Sequence, residues 1–574
     1  MLYNRMSPEF TTLQYELMKL LSSVTNQGGS AEAMKNAIGA VTPASIRAAA
    51  TILTMLPIIC LYPFLQRYFV SGLTIGGVKE QHMSIQPIIH MDFPDPDVIR
   101  VEDTYYMVST TMHFMPGCVI LRSYDLRNWE IVEHVYDSLD ETEGQRLQDC
   151  SGIYGKGMWA ASIRYHKNRF YLCFVANDTG KTYLYQSENI SGPWEKQEIQ
   201  GFYHDPSLLF DEDGRIYIVY GNTEIHLTEL DEQLKGPKEN GIDRIIIKEQ
   251  GVYKLGYEGA HTYKIHGKYY VFLIHSPGET WFRREACFVS DGIEGEFTGR
   301  DVLADDLNYC HQGVAQGGIV DTPDGDWYSI LFQDRGAVGR SPVLVPVKWE
   351  QDFPVFGEGG KVPEVIETRS TRPNHRYEPL FESDDFQYVP DKNGKIPWKK
   401  VWEFNHQPDS RYYSVSEGEF RIYSGKVCAN LEAAVNTLTQ RTRYPRCEAE
   451  VSVNGNGMKV GDYAGLSAFL GNFGFVALKK EEDGMYLVMA GKEAEYEKIK
   501  LDTERVRLKV KLEFEMMKDE AEFFYETSGE WKKIGITKKL YFQLDHFCGC
   551  RFALFFYSTK TIGGSAGFSE FIYR

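Results

Sequence analysis

Three acidic side chains stand at matching places in a recurring pattern: Asp95 in DFPDPDVIR, Asp205 in HDPSLLFDEDGRIYIVYG and Glu258 in YEGAHTYKIHGKYYVF. Each opens a strand-like run that is followed by a turn and an aromatic pair in a second run. Pro94 and Pro96 flank Asp95, and Pro206 follows Asp205. The fixed φ of proline stiffens both approaches and biases the preceding residue towards extended backbone. Gly259, next to Glu258, permits close approach of backbone or ligand. A single Asp-Pro is ordinarily turn chemistry, whereas three acids at matching positions form a candidate reaction centre. Carboxylates gathered in one cavity could cleave a glycosidic bond. One protonates the departing oxygen while another activates water on the opposite face, the two carboxyls lying roughly 6.5–9.5 Å apart in the inverting geometry. Burial and mutual repulsion would keep one group protonated while a better solvated partner stays ionised. The three residues alone do not assign these roles.

A repeat would bring them together. The pattern occurs five times, at Asp95–Tyr106, Trp159–Tyr171, Asp205–Tyr217, Glu258–Tyr270 and Gln316–Tyr328, in steps of 46 to 65 residues. That is the length of a four-stranded propeller blade. SYDLRNW at Ser123–Trp129 and SENISGPW at Ser187–Trp194 echo each other as outer strands. Innermost strands surround a propeller's axis, so residues that open equivalent inner strands converge on a central cavity. The predicted fold class is all-β, a five-bladed β-propeller over residues 83–361, then a linker over 362–379 and a β-sandwich over 380–574. Within the last segment RVRLKVKLEF places Val506, Leu508, Val510, Leu512 and Phe514 on one face, the alternation of a half-exposed antiparallel strand.

A chain of 574 residues is too long for one core. Its 62 basic and 80 acidic residues give a net charge of -18 without a basic run, which excludes nucleic acid as an expected partner. The ten cysteines are scattered and form no zinc knuckle, which fits a reducing, cytoplasmic setting. His204, His261 and His311 lie near the motifs without metal-ligand spacing, so polar roles are expected and no catalytic metal. Before Met83 the composition changes. Ala48–Leu65 is apolar and uncharged, at the lower edge of what spans a bilayer, with Pro57 and Pro63 as kinks. Residues 1–82 are therefore read as an α-helical, membrane-competent extension, with membrane association through residues 48–70 if it is genuine.

DFPDPDVIR, STTMHFMPGCVILRSYDLRNW, GMWAASIRYHKNRFYL, HDPSLLFDEDGRIYIVYG, YEGAHTYKIHGKYYVF and VAQGGIVDTPDGDWY resemble the successive blade signatures of family 43 glycoside hydrolases, over about Met83 to Gly357. The resemblance implies an inverting hydrolase with Asp95 as general base, Glu258 as general acid and Asp205 as the group that tunes and orients the acid. It implies Phe114 and Trp159 as aromatic walls of a sugar pocket and Arg340, in GAVGRSPVLVPVKW, against sugar hydroxyls. His261 and Gln316 join the expected substrate-binding set. Gln316 stands where many relatives carry a histidine near a central calcium ion or water, so no metal is expected in the channel. WEFNHQPDSRYYSV, GDYAGLSAFLGNFGFVAL and FALFFYSTKTIGGSAGFSEF resemble the concanavalin-like, jelly-roll C-terminal domain of many family 43 β-xylosidases. Gly567 and Ser569 replace acids that often hold a structural calcium ion there, so no cofactor is required and calcium stays open. QRYFVSGLTIGGVKE, with the rest of residues 11–80, resembles the C-terminal tail of carbohydrate ABC transporter permeases, which places the start of the enzyme at Met83.

The resulting expectation is an exo-acting hydrolase that releases terminal β-D-xylose or α-L-arabinofuranose from xylo- or arabino-oligosaccharides. The alternatives are an endo-acting, arabinanase-like hydrolase and an inactive sugar-binding protein, the latter disfavoured by three intact carboxylates. An oligosaccharide is the expected partner, and homo-oligomerisation stays open.

Overall fold

The computed structural model describes residues 86–148 and 152–574. The helical extension, its apolar run and the permease-like stretch lie outside the described residues. Among those described, every regular element is a strand or a three-residue 3-10 turn, and no helix is long and apolar enough to cross a membrane.

Five four-stranded antiparallel sheets follow one another as blades, at Asp97–Tyr136, Met158–Ile199, Ser207–Lys248, Tyr253–Leu303 and Ala315–Phe356. The aromatic pairs that mark the repeat lie at the start of each second strand, where Tyr105, Tyr217 and Tyr270 are fully buried. The ring closes between the first and last blades. Arg100 donates from Nε to the backbone oxygen of Asp321 at 3.0 Å and forms an ion pair with its carboxylate at 2.5 Å. On the opposite side the extended segment before the first blade runs along the fifth, with Ile88 N–H on Pro342 O and Phe93 N–H on Arg340 O, both at 2.9 Å.

A buried polar layer fills the axis. Asp97 of the first blade accepts from Arg164 (2.6 Å) and the backbone of Ile163 (2.8 Å) in the second, and lies 3.0 Å from His261 Nδ1 in the fourth. Arg164 also donates to Ser207 Oγ of the third blade at 2.9 Å. In the fifth blade Gly318 is required, because a Cβ there would lie 2.7 Å from Asp97 Oδ1. Burial pushes the Asp97 carboxyl up, yet Arg164 and His261 hold it at about 2.

The C-terminal sandwich consists of a seven-stranded and an eight-stranded sheet. Val506, Leu508, Val510, Leu512 and Phe514 are buried, as their alternation predicts. The eight-stranded sheet recruits a strand from the propeller: Phe114–Met115 pairs antiparallel with Glu403–Asn405. Beside that junction Glu403, fully buried, accepts from Arg441 (2.8 Å) and Arg551 (2.5 Å) and lies 3.0 Å from His134 Nε2 of the propeller. The two guanidinium groups cover propeller rings, Arg441 at 4.3 Å from the centroid of Phe93 and Arg551 at 3.6 Å from that of Phe114. Residues 362–379 run across the first blade, where Thr371 Oγ1 donates to Asp103 O at 2.6 Å and Arg372 pairs with the Asp103 carboxylate at 2.7 Å.

Candidate active site

Asp95 and Asp205 each stand two residues before the first residue of an inner strand, with φ of 51° and 47°. The sequence predicts extended backbone there, because a proline follows. Both residues turn left-handed instead, a conformation that aspartate tolerates better than most side chains. Glu258 arrives by another route. His261 pairs with Phe272 and Glu258 with Ile274, so three residues on the inner strand face two on its neighbour. This bulge absorbs one residue at Gly259, whose φ is +64°. It sets Glu258 at the level of Asp95, just as His261 stands level with Asp97.

The three carboxylates line one cavity of about 640 Å³. Asp95 is buried and held at both oxygens, by Arg340 Nη1 at 2.6 Å and by the Thr110 hydroxyl at 2.7 Å. Asp205 is buried and accepts the Gly259 N–H at 3.2 Å. Glu258 is partly exposed and accepts from Asn222 Nδ2. His204 Nε2 lies 3.6 Å from Asp205 Oδ2 and 3.6 Å from Glu258 Oε2. Burial pushes Asp205 up to about 6; His204 opposes the rise, while the charges of Glu258 and Asp95 add to it. His204 is driven up to about 9, chiefly by the charge of Asp205. The His204 ring thus stands between two of the acids.

Aromatic and cationic groups surround the acids. Trp159 lines the cavity, and its indole N–H has no partner among the described residues. Arg340 lines it too: beyond its bond to Asp95, Nε and Nη2 are unpartnered among the described residues, and its guanidinium lies 4.6 Å from the centroid of Phe547. Gln316 contributes to the lining, with its backbone N–H on the buried Glu285 carboxyl at 2.7 Å.

Two of the expected substrate-binding residues lie elsewhere. Phe114 is 1% exposed, committed to the strand shared with the sandwich and to Arg551, and Met112 takes its place in the lining. His261 belongs to the buried axial layer beneath the cavity, bound to Asp97.

Residues 85–354 match the family model of glycosyl hydrolases family 43, and residues 396–574 match that of the beta-xylosidase C-terminal concanavalin A-like domain. The propeller is a glycosyl hydrolases family 43 domain. Among its relatives, a beta-xylosidase from Formosa agariphila is 28% identical over 70% of this chain and 75% of its own length. A non-reducing end alpha-L-arabinofuranosidase from Bacteroides ovatus is 27% identical over 61% of this chain and 67% of its own. A solved bifunctional GH43-CE from Bacteroides eggerthii superposes with a TM-score of 0.79 at 41% identity, covering 85% of this chain. This chain spans only 63% of that longer one.

The chain with this domain is thus a glycoside hydrolase, and its cavity contains groups that lie far from the blade motifs. Phe542, Gln543, Leu544 and Phe547 reach it from the sandwich, with Phe547 5.5 Å from Trp159, centroid to centroid. Their loop is fastened to the propeller by Gly549 N–H on Asp92 Oδ2 and Cys550 N–H on Ala337 O, both at 2.7 Å. The other oxygen of Asp92 accepts the Arg340 backbone N–H at 2.8 Å, so one buried carboxyl ties this loop to the arginine of the site. YFQLDHFCGC carries no local signal for such a role. Asn222, Arg283 and Asp334 also line the cavity without having been singled out in the sequence.

Asp97 on the axis and Glu419 beside Gly567 each already face an arginine. On the axis the Arg164 guanidinium supplies the positive charge, between Asp97 and Ser207. At Gly567 the space is taken by the Glu419 carboxyl, which would lie 2.1 Å from an added Cβ and is paired with Arg421 at 2.6 Å. The remaining group of ligand-type side chains among the described residues is His204, Asp205 and Glu258 themselves, whose ligand atoms lie within 4.8 Å of one another.

Proposed function

We propose that this hydrolase removes the terminal sugar, β-D-xylose or α-L-arabinofuranose, from short oligosaccharides with inversion at the anomeric carbon. The observation that carries the reading is the shape of the site. Beneath the acids the axis is filled by Asp97, Arg164 and His261, and one side is walled by Phe542 and Phe547. A chain end fits such a cavity better than the interior of a polysaccharide.

In the proposed mechanism Glu258 gives its proton to the glycosidic oxygen as the bond to the anomeric carbon breaks. Asp95, oriented by Arg340 and Thr110, takes a proton from the water that attacks the opposite face. Asp205, which accepts the Gly259 N–H, and His204, 3.6 Å from the Glu258 carboxyl, hold the acid in place. The free N–H groups of Arg340 and the Trp159 indole are available to sugar hydroxyls. The relatives named for xylosidase and arabinofuranosidase activity support these two sugars. Incubation with nitrophenyl β-D-xyloside and nitrophenyl α-L-arabinofuranoside tests the sugar, and proton NMR of the first-formed product tests the stereochemistry. Release of a monosaccharide of opposite anomeric configuration is expected; cleavage confined to the interior of long arabinans would instead favour the endo-acting alternative.

A further inference from the structure

We propose that Trp281 forms the platform for the second sugar, on the leaving-group side of the scissile bond, and that Arg283 and Asp334 hold it there. The proposal rests on the exo-hydrolase reading and adds a residue to the specificity of that site.

Four aromatic side chains line the cavity: Trp159, Trp281, Phe542 and Phe547. Only Trp281 is exposed, at 38%, which places it at the mouth rather than against the buried acids. It belongs to the same blade as Glu258. Ile274, the cross-strand partner of Glu258, lies on the strand that ends at Pro277, and the next strand begins at Arg284, so Trp281 sits in the hairpin loop between them. The acid must touch the oxygen that leaves, so the departing sugar lies on the side of Glu258.

The ring is fixed before any substrate arrives. The Arg283 guanidinium lies 4.8 Å from its centroid, is buried, and forms an ion pair with Asp334; its other side faces Phe332 at 5.4 Å. Between them Phe282 donates its backbone N–H to Ser276 Oγ at 2.9 Å and packs its ring 4.7 Å from that of His311. A held aromatic face offers the apolar face of a pyranose or furanose an area to cover without an ordering cost at the moment of binding. Leu544, 72% exposed on the sandwich loop, lines the same cavity and adds an apolar group from the other domain.

The test uses the full chain and two probes. Xylobiose and 1,5-linked arabinobiose occupy both positions, whereas free xylose or arabinose, added as a competitive inhibitor, occupies the terminal-sugar position. Trp281→Ala is expected to lower kcat/KM for the disaccharide about tenfold, the equivalent of about 1.4 kcal/mol, while the inhibition constant of the monosaccharide stays within about twofold. Trp281→Phe, which keeps an aromatic face, is expected to restore at least half of the loss on a logarithmic scale. Equal weakening of disaccharide and monosaccharide would put Trp281 in the terminal-sugar position and overturn the proposal, as would an unchanged disaccharide rate in an active enzyme. A wild type inactive on both disaccharides would sink the exo-hydrolase reading, and this inference with it.

Discussion

Asp205 carries the electrostatics of the site at the scale of single residues. Burial raises it to about 6 even though His204, an imidazolium up to about pH 9, stands beside it. His204→Ala removes that charge and leaves burial and two neighbouring acids to push Asp205 higher. If Asp205 must be ionised for activity, the acidic limb of kcat/KM should move up by about one pH unit. A pH–rate profile of the variant checks this, and a limb that stays in place would mean that another group sets it. The stability linkages have opposite windows. His204, with its folded pKa raised, adds stability that is full below its unfolded value of about 6.5 and is lost as pH rises through about 9. Asp205, raised in the folded state, withdraws stability as pH rises from about 4 to about 6.

At the scale of elements, a bulge shared by three inner strands, between Met158 and Ala161, Glu258 and His261, and Ala315 and Gly318, sets the residues that open them. The repeat was legible because each inner strand is followed by a turn and a pair of large residues, at least one of which is buried in every blade. The bulge was hidden, since inserting one residue leaves the alternation intact on either side. The left-handed turns at Asp95 and Asp205 were hidden as well, because the proline after each argues locally for extended backbone and the pull of the cavity is tertiary. Gly259 makes the bulge testable: at φ +64°, an added Cβ would also lie 2.6 Å from the Gln316 side chain. Gly259→Ala should cost about 1–2 kcal/mol of stability from the left-handed backbone alone. It should lower kcat by more than that cost explains, because Glu258 moves with its neighbour. Thermal unfolding and kcat measured together separate the two effects.

At the scale of the whole molecule, the sandwich lines part of the candidate site. Its loop brings Phe542 and Phe547 to the cavity, and its first strand is completed by Phe114–Met115 of the propeller. A second domain was legible from the strict alternation of Val506 to Phe514. Which of its loops meets the cavity was not, because that depends on docking through side chains far apart in sequence. The expected wall residue Phe114 shows the same limit: an aromatic next to a motif looks like a sugar platform until Arg551 is seen over its ring. Glu403 holds that docking together. Burial works against its charge, but Arg441, Arg551 and His134 hold its carboxyl well below the usual range. Glu403→Ala leaves two buried guanidinium groups unpaired and should destabilise the chain by about 3–5 kcal/mol in denaturant unfolding. A loss below about 1 kcal/mol would show that the shared strand, the bonds of Gly549 and Cys550 and the ring contacts hold the domains without it.

The central claim is that Glu258 and Asp95 divide the chemistry as acid and base, and substrates with different leaving groups test it most directly. A nitrophenolate departs without much help from an acid, whereas a sugar alkoxide does not. Rates of wild type, Glu258→Ala and Asp95→Ala should therefore be measured on both a nitrophenyl glycoside and the matching disaccharide. The account predicts that Glu258→Ala loses roughly 10²–10⁴-fold on the disaccharide and far less on the nitrophenyl substrate, while Asp95→Ala loses a comparable factor on both. Equal losses for Glu258→Ala on the two substrates, or substantial activity retained by Asp95→Ala, would contradict it.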